Sequence, residues 1–135
     1  MAANTSPIFT LTPQVSWGTI ATANTAKDGT GTVVTVFTAN TNGSFVESIV
    51  FRAAGTNVAT VARVFINNGS SNATPANNTL VAELTLSATT LSEVSALAQY
   101  EIPINRRLPS GYKINITIGT TVSAGYAVTC FGGDY

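Results

Sequence analysis

The sequence predicts an all-β protein: an antiparallel β-sandwich, jelly-roll-like, with about eight strands. Three observations carry that expectation. Apolar and polar residues alternate over short runs, with the period of two that a half-buried strand imposes. Turn-forming residues punctuate the chain at roughly 8–12-residue intervals. Val, Ile, Thr and aromatic residues fill the runs, and a single stretch has helical spacing.

The 135 residues are read as one domain, opened by an irregular or extended segment over roughly residues 1–26. In that segment "IFTLTP" and "SWGTIATA" add one or two strands, and "KDGTG" turns the chain into "TVVTVFTA" (Thr32–Ala39). "NTNG" comes next. Its Asn42-Gly43 pair signals a hairpin, because both residue types tolerate positive φ. "SFVESIVFRA" (Ser44–Ala53) and "VATVARVFIN" (Val58–Asn67) follow as strands. In the second of these, Arg63 and Asn67 mark one face as partly wet, while Val61 and Phe65 argue for some burial there.

"LVAELTL" (Leu80–Leu86) has the cleanest alternation, with Leu80, Ala82, Leu84 and Leu86 set against Val81, Glu83 and Thr85. "SATTLSEVSALA" (Ser87–Ala98) is the helical candidate, through Leu91, Val94, Leu97 and Ala98, with Thr90 or Ser92 as cap. A polar loop with one turn fits it equally. In "QYEIPI" (Gln99–Ile104), Pro103 removes a ladder donor, which places the strand at an edge or bends it. "YKINITIG" (Tyr112–Gly119) sets Tyr112, Ile114, Ile116 and Ile118 against Lys113, Asn115 and Thr117, and "YAVTCF" (Tyr126–Phe131) closes the series.

The run from Asn67 to Asn78 holds no charge and no large apolar residue. Gly69 and Pro75 punctuate it, and its asparagines can bond their own backbone in turns. It is expected to be a surface loop between two paired strands. Replacing Ser70–Asn77 by a short Gly-Ser turn is then expected to leave the fold intact.

Composition narrows the function classes. Charged residues make up 9% of the chain, against roughly 25% in an average soluble domain. Thr, Asn, Ser and Gly take their place. Such a neutral surface repels its neighbours weakly and suits a protein that sits in an assembly. The six basic residues form no stripe for phosphates, so nucleic acid is not an expected partner. No apolar run approaches the ~20 residues of a spanning helix, and "MAANTSPIFTLTP" lacks the basic start and apolar core of a secretory signal. The sequons at Asn4, Asn42, Asn68, Asn72, Asn77 and Asn115 follow from a composition rich in Asn and Thr.

No residue set points to catalysis, a cofactor or a metal. The chain has no histidine, and its one cysteine, Cys130, sits in a strand and reads as a small buried apolar residue. The carboxylates Asp28, Glu47, Glu83, Glu93, Glu101 and Asp134 do not pair at short spacing. Of the aromatics, Phe37, Phe45, Phe51, Phe65 and Phe131 lie in strands and read as core. Trp17, beside Gly18, and Tyr135, after "GGD", are candidate contact residues. Arg106 and Arg107 precede the "LPSGYKI" corner, where Pro109 fixes φ and Gly111 allows a left-handed turn. There the guanidinium groups can pair with carboxylates of a partner. Asn68 and Asn72 of the polar run are the remaining contact candidates.

From Val64 to Tyr135 the chain resembles a group of small virion β proteins of tailed bacteriophages. The features that carry this are "VFINNG", the Asn/Thr/Pro loop, "LPSGYKI", "IGTTVSAGY" and the closing "GGDY". The resemblance implies a head-decoration (cement) protein made in the host cytoplasm and carried on the capsid surface of the virion. It would bind the major capsid protein or other virion proteins, with no catalytic residues and no membrane or nucleic-acid partner. A homo-oligomer is expected, a trimer by preference. The competing reading is a carbohydrate-binding or host-adhesion module of a phage head or tail fibre, which needs an exposed Trp or Tyr on a sheet face or loop tip.

Overall fold

Clean alternation becomes strand almost everywhere it occurs. The computed structural model describes residues 9–135; the sequon at Asn4 and the start of "IFTLTP" lie outside them. Eight strands form: β1 (Thr12–Ile20), β2 (Val34–Thr38), β3 (Ser44–Ala53), β4 (Thr60–Asn67), β5 (Asn78–Leu86), β6 (Gln99–Leu108), β7 (Lys113–Ile118) and β8 (Tyr126–Asp134). A single 3-10 turn covers Pro75–Asn77. Among the described residues, the segments before Lys27 thus supply one strand, β1.

The pairs β1–β8, β2–β7, β3–β6 and β4–β5 are all antiparallel. They are the rungs of one long hairpin whose tip is the β4–β5 loop. Winding that hairpin sends alternate rungs to opposite sheets, and the pairs β3–β8 and β4–β7 complete them. The sheets have the orders β1-β8-β3-β6 and β2-β7-β4-β5, the jelly-roll-like sandwich expected from the strand count.

The core lies between the inner faces. Ile49, Phe51, Tyr126, Val128 and Cys130 of one sheet face Val36, Ala62, Val64, Leu86, Ile114, Ile116 and Ile118 of the other, all essentially inaccessible. Burying side chains of this size contributes about 1.5–3 kcal/mol each. At one end Asp134 ties three strands together. Its carboxylate accepts from Ser44 Oγ and, at 2.6 Å, from Gln14 Nε2. At the other end the buried Asn57 carboxamide bonds the backbone of Ala124 and Gly125 and stands in for a missing ladder.

Several expectations need correction. "NTNG" makes a tight turn, closed by Gly43 N–H on the Asn40 carbonyl, but it joins β2 to β3 in the opposite sheet and so forms no hairpin. No helix forms over 87–98. Thr89 bridges antiparallel to Asn57 and holds the start extended, while Leu91 and Val94 face solvent because the sandwich offers them no further layer. The second face of β4 is dry: Arg63 and Asn67 are buried along with Phe65. β5 departs from its alternation at Val81, where the register steps from Phe65–Leu80 to Val64–Ala82 and leaves Leu80 42% exposed.

Other expectations hold. β6 is an edge strand, and its register with β3 breaks beside Pro103. Gly111 turns the corner after Pro109 at φ 77. Most of the 67–78 loop lies on the surface, with Asn67 and Asn68 bonding the backbone N–H of Gly69 and Ser70.

β3 and β8 approach closely at Gly132. A Cβ there would stand 2.2 Å from the Phe45 carbonyl oxygen. Because the obstacle is backbone, Gly132→Ala is predicted to destabilise the fold by about 1–3 kcal/mol. Urea denaturation checks this, and an unchanged midpoint would contradict the packing of the two strands.

Candidate functional site

The two outer faces of the sandwich differ. Residues 21–33 run across the outside of the β2-β7-β4-β5 sheet: Asn24 N–H bonds the Ile118 carbonyl, and Gly29 sits on Phe65 and Asn78. Phe65, Asn67, Asn115 and Thr117 are sealed beneath. No such cover crosses the β1-β8-β3-β6 sheet among the described residues. There Val15, Trp17 and Phe131 are exposed, with Val50 and Phe45 half-buried beside them. Phe37, Phe51 and Phe65 are core as expected, whereas Phe131 and Phe45 belong to this bare face.

The free edges of β5 and β6 splay apart. Between them lies a groove of about 530 Å³ with an apolar floor that includes Ile66, Ala82, Ile102, Ile104 and Tyr112. Arg106 and Arg107 stand at its corner end. Both are exposed, and neither meets a carboxylate, since the one ion pair among the described residues is Arg63–Glu83. Arg107 Nε donates instead to the Tyr135 phenol oxygen at 3.1 Å, beside Phe9 and Phe45. Two contact candidates far apart in sequence, Arg107 and Tyr135, are thus brought together. The groove itself had no signal in the sequence, because it arises from two strand edges that meet only in the fold.

The remaining candidates part company. Trp17 lies on β1, at the opposite edge of the sheet from the arginines, and is 72% exposed. Asn68 is an exposed loop residue whose Nδ2 donates to the Asn77 carboxamide oxygen. Asn72 is turned inward on its own chain, where its Nδ2 donates to the carbonyls of Gly29 and Gly31 at 3.1 and 2.8 Å. Its carboxamide is therefore spent on the fold. Exchanging the 70–77 stretch for a short turn would therefore remove two of the bonds that hold residues 28–31.

Cys130 lies in the core, and burial pushes its thiol up to about 12. Among the described residues no group of three or more His, Cys, Asp or Glu side chains comes together, and no helix is long and apolar enough to cross a membrane.

Fold and surfaces define a jelly-roll-like β-sandwich with one covered sheet, one bare sheet and an open groove. No family model matches the chain, and no curated protein matches it in sequence. Among solved structures, a chain of the T13 infectious bursal disease virus particle shares 14% identity with it, covering 96% of this chain and 35% of that one, at a TM-score of 0.30. A chain of the Gx strain of that virus shares 16%, covering 97% and 37%, at 0.29. This chain spans about a third of the length of each. Likeness at that level carries no weight for function.

The thiol gives a prediction. Native protein should leave Cys130 unreactive toward a disulfide reagent until it unfolds. The folded thiol holds its proton to about 12, whereas the unfolded one releases it from about 9. The unfolded state therefore binds fewer protons in that window, and stability contributed by this group is present below pH 9 and falls as pH rises toward 12. Rapid labelling at pH 8 without unfolding would place the thiol outside the core.

Proposed function

We propose that this protein is a structural virion component, a capsid decoration (cement) protein that binds the shell of a major capsid protein and stabilises it. The observation that carries the reading is the groove between β5 and β6, with its apolar floor and, at one end, two arginines that form no ion pair among the described residues. Such a groove fits a shell segment that offers apolar side chains and a carboxylate. Arg107 and Arg106 dock the carboxylate, and the floor takes the apolar residues. Binding to the assembled shell then stabilises it by mass action, with no chemistry required of this chain. The resemblance of residues 64–135 to small virion β proteins supports the same role, on the capsid surface of a particle made in the host cytoplasm. The low charge also suits a surface packed among many copies.

A second reading, carbohydrate binding for host adhesion, is favoured by one observation. Trp17 stands exposed beside a cleft lined by Gln14, Ser16, Thr35 and Thr38, a ring with polar neighbours such as a sugar needs. Copy number separates the two roles: hundreds of copies per virion fit decoration, and a handful fit adhesion.

The test is Arg106→Ala with Arg107→Ala. Attachment to particles should weaken by about 2–5 kcal/mol if the pair is desolvated on docking, and by under about 1 kcal/mol if it sits at the rim. Thermal stability should barely change, as both side chains are exposed. Unaltered occupancy on particles would remove the groove from the interface.

A further inference from the structure

The sandwich has four strand edges, and three of them are blunted. β2 has five residues, with its register broken between Thr35 and Phe37. β5 is bulged at Val81 and carries Glu83. β6 carries Glu101, Pro103, Arg106 and Arg107, and Asn105 adopts φ 48. Charges, prolines, bulges and short length are the devices that keep a free edge from pairing with another chain.

β1 has almost none of them. It pairs with β8 in unbroken register from Thr12 to Ile20. Its sequence, TPQVSWGTI, has no charged residue, and its proline stands at the second position. β2 does not pair with its other side. From Gln14 to Trp17 a shallow cleft of about 310 Å³ lies between them, crossed by the Ser16 hydroxyl, which donates to the Val36 carbonyl. The outward residues of the strand behind it, Ala127, Thr129 and Phe131, are uncharged too.

We propose that β1 is a self-association edge, pairing antiparallel with β1 of a second copy about a two-fold axis and joining two four-stranded sheets into one of eight. The occupant follows from the strand. Antiparallel pairing of a strand with itself needs no side-chain code beyond the absence of repulsion, and β1 carries no charge to repel its own copy. A two-fold centred on Ser16 sets Val15 of each copy opposite Trp17 of the other, an aromatic on a β-branched residue, twice. It sets Gln14 opposite Gly18, which brings no side chain of its own and against which Val34 already packs. The pairing is two-fold, so it predicts dimers where the sequence suggested trimers. It stands apart from the decoration reading, since it concerns this chain alone.

Trp17 is the one tryptophan in the chain, so it reports on the edge directly. Sedimentation of the purified protein over a concentration series should show monomer passing to dimer, with Trp17 emission moving to the blue in step. The pair of changes Val15→Lys and Trp17→Lys should raise the dissociation constant ~tenfold or more through like charges set opposite each other. Val15→Lys alone provides the milder variant should the first not fold: it sets two lysines diagonally across the axis and retains Trp17 as probe. A strict monomer, a trimer, a dimer whose Trp17 emission stays that of an exposed ring, or a dimer indifferent to Val15→Lys would each overturn the proposal.

Discussion

The fold depends on a clamp of asparagine carboxamides. Asn72 donates to the carbonyls of Gly29 and Gly31, and Asn78 Nδ2 donates to the carbonyls of Asp28 and Asn72. Asn67 in turn donates to the Asn78 carboxamide oxygen at 2.8 Å. In a chain with 9% charged residues there are few ions to fasten loops, and neutral amides take over. Each such bond nets about 0.5–1.5 kcal/mol, but a buried carbonyl left unmet costs more. The clamp satisfies several backbone groups at once and ties residues 28–31 to the β4–β5 loop. With the bonds of Ala21, Ala23 and Asn24 to Val122, Thr121 and Ile118, it holds the 21–33 segment across a sheet whose polar residues, Asn115 and Thr117, would otherwise face water.

From that clamp follows the asymmetry of the molecule. The central strands β4 and β7 are covered on both faces, by the core on one side and by the chain's own loop on the other. Among the described residues the other sheet is met by Thr10 at Gly133 but has no segment crossing it, and Val15, Trp17 and Phe131 are exposed on β1 and β8. The exposed apolar side chains of β1 and β8 mark one side available for contact. The splayed β5 and β6 edges add a second surface, and the arginines at its end have no carboxylate of their own among the described residues. Contact surfaces are thus distributed around a core that is complete without them.

Much of the fold was legible because strand alternation is local. "SFVESIVFRA" coincides with β3, and Pro103 marked β6 as an edge. What failed depended on the partner across space. Asn67 read as partly wet because polar residues on a strand normally face water, and nothing local reveals the 21–33 loop arriving over that face. The Asn42-Gly43 signal was a true turn, but a turn does not encode whether it joins strands of one sheet or of two. Leu91, Val94 and Leu97 had helical spacing without a surface to receive a helix. Of the candidate contact residues, Trp17, Arg106 and Arg107 are all exposed in the fold. The bonds of Asn72 to Gly29 and Gly31 had no signal in the sequence, because an amide in a polar loop looks alike whether it meets a neighbour or its own chain.

The central claim is that the carboxamide clamp holds the covered sheet closed while leaving the bare sheet to itself. Amide hydrogen exchange on Asn72→Ala tests it most directly, because sub-global opening is read residue by residue. Amides near Phe65 in β4 and near Asn115 in β7 should exchange faster, together with those of residues 28–31, while amides of β3 and β8 keep their protection. Protection unchanged throughout, or lost equally in both sheets, would contradict it.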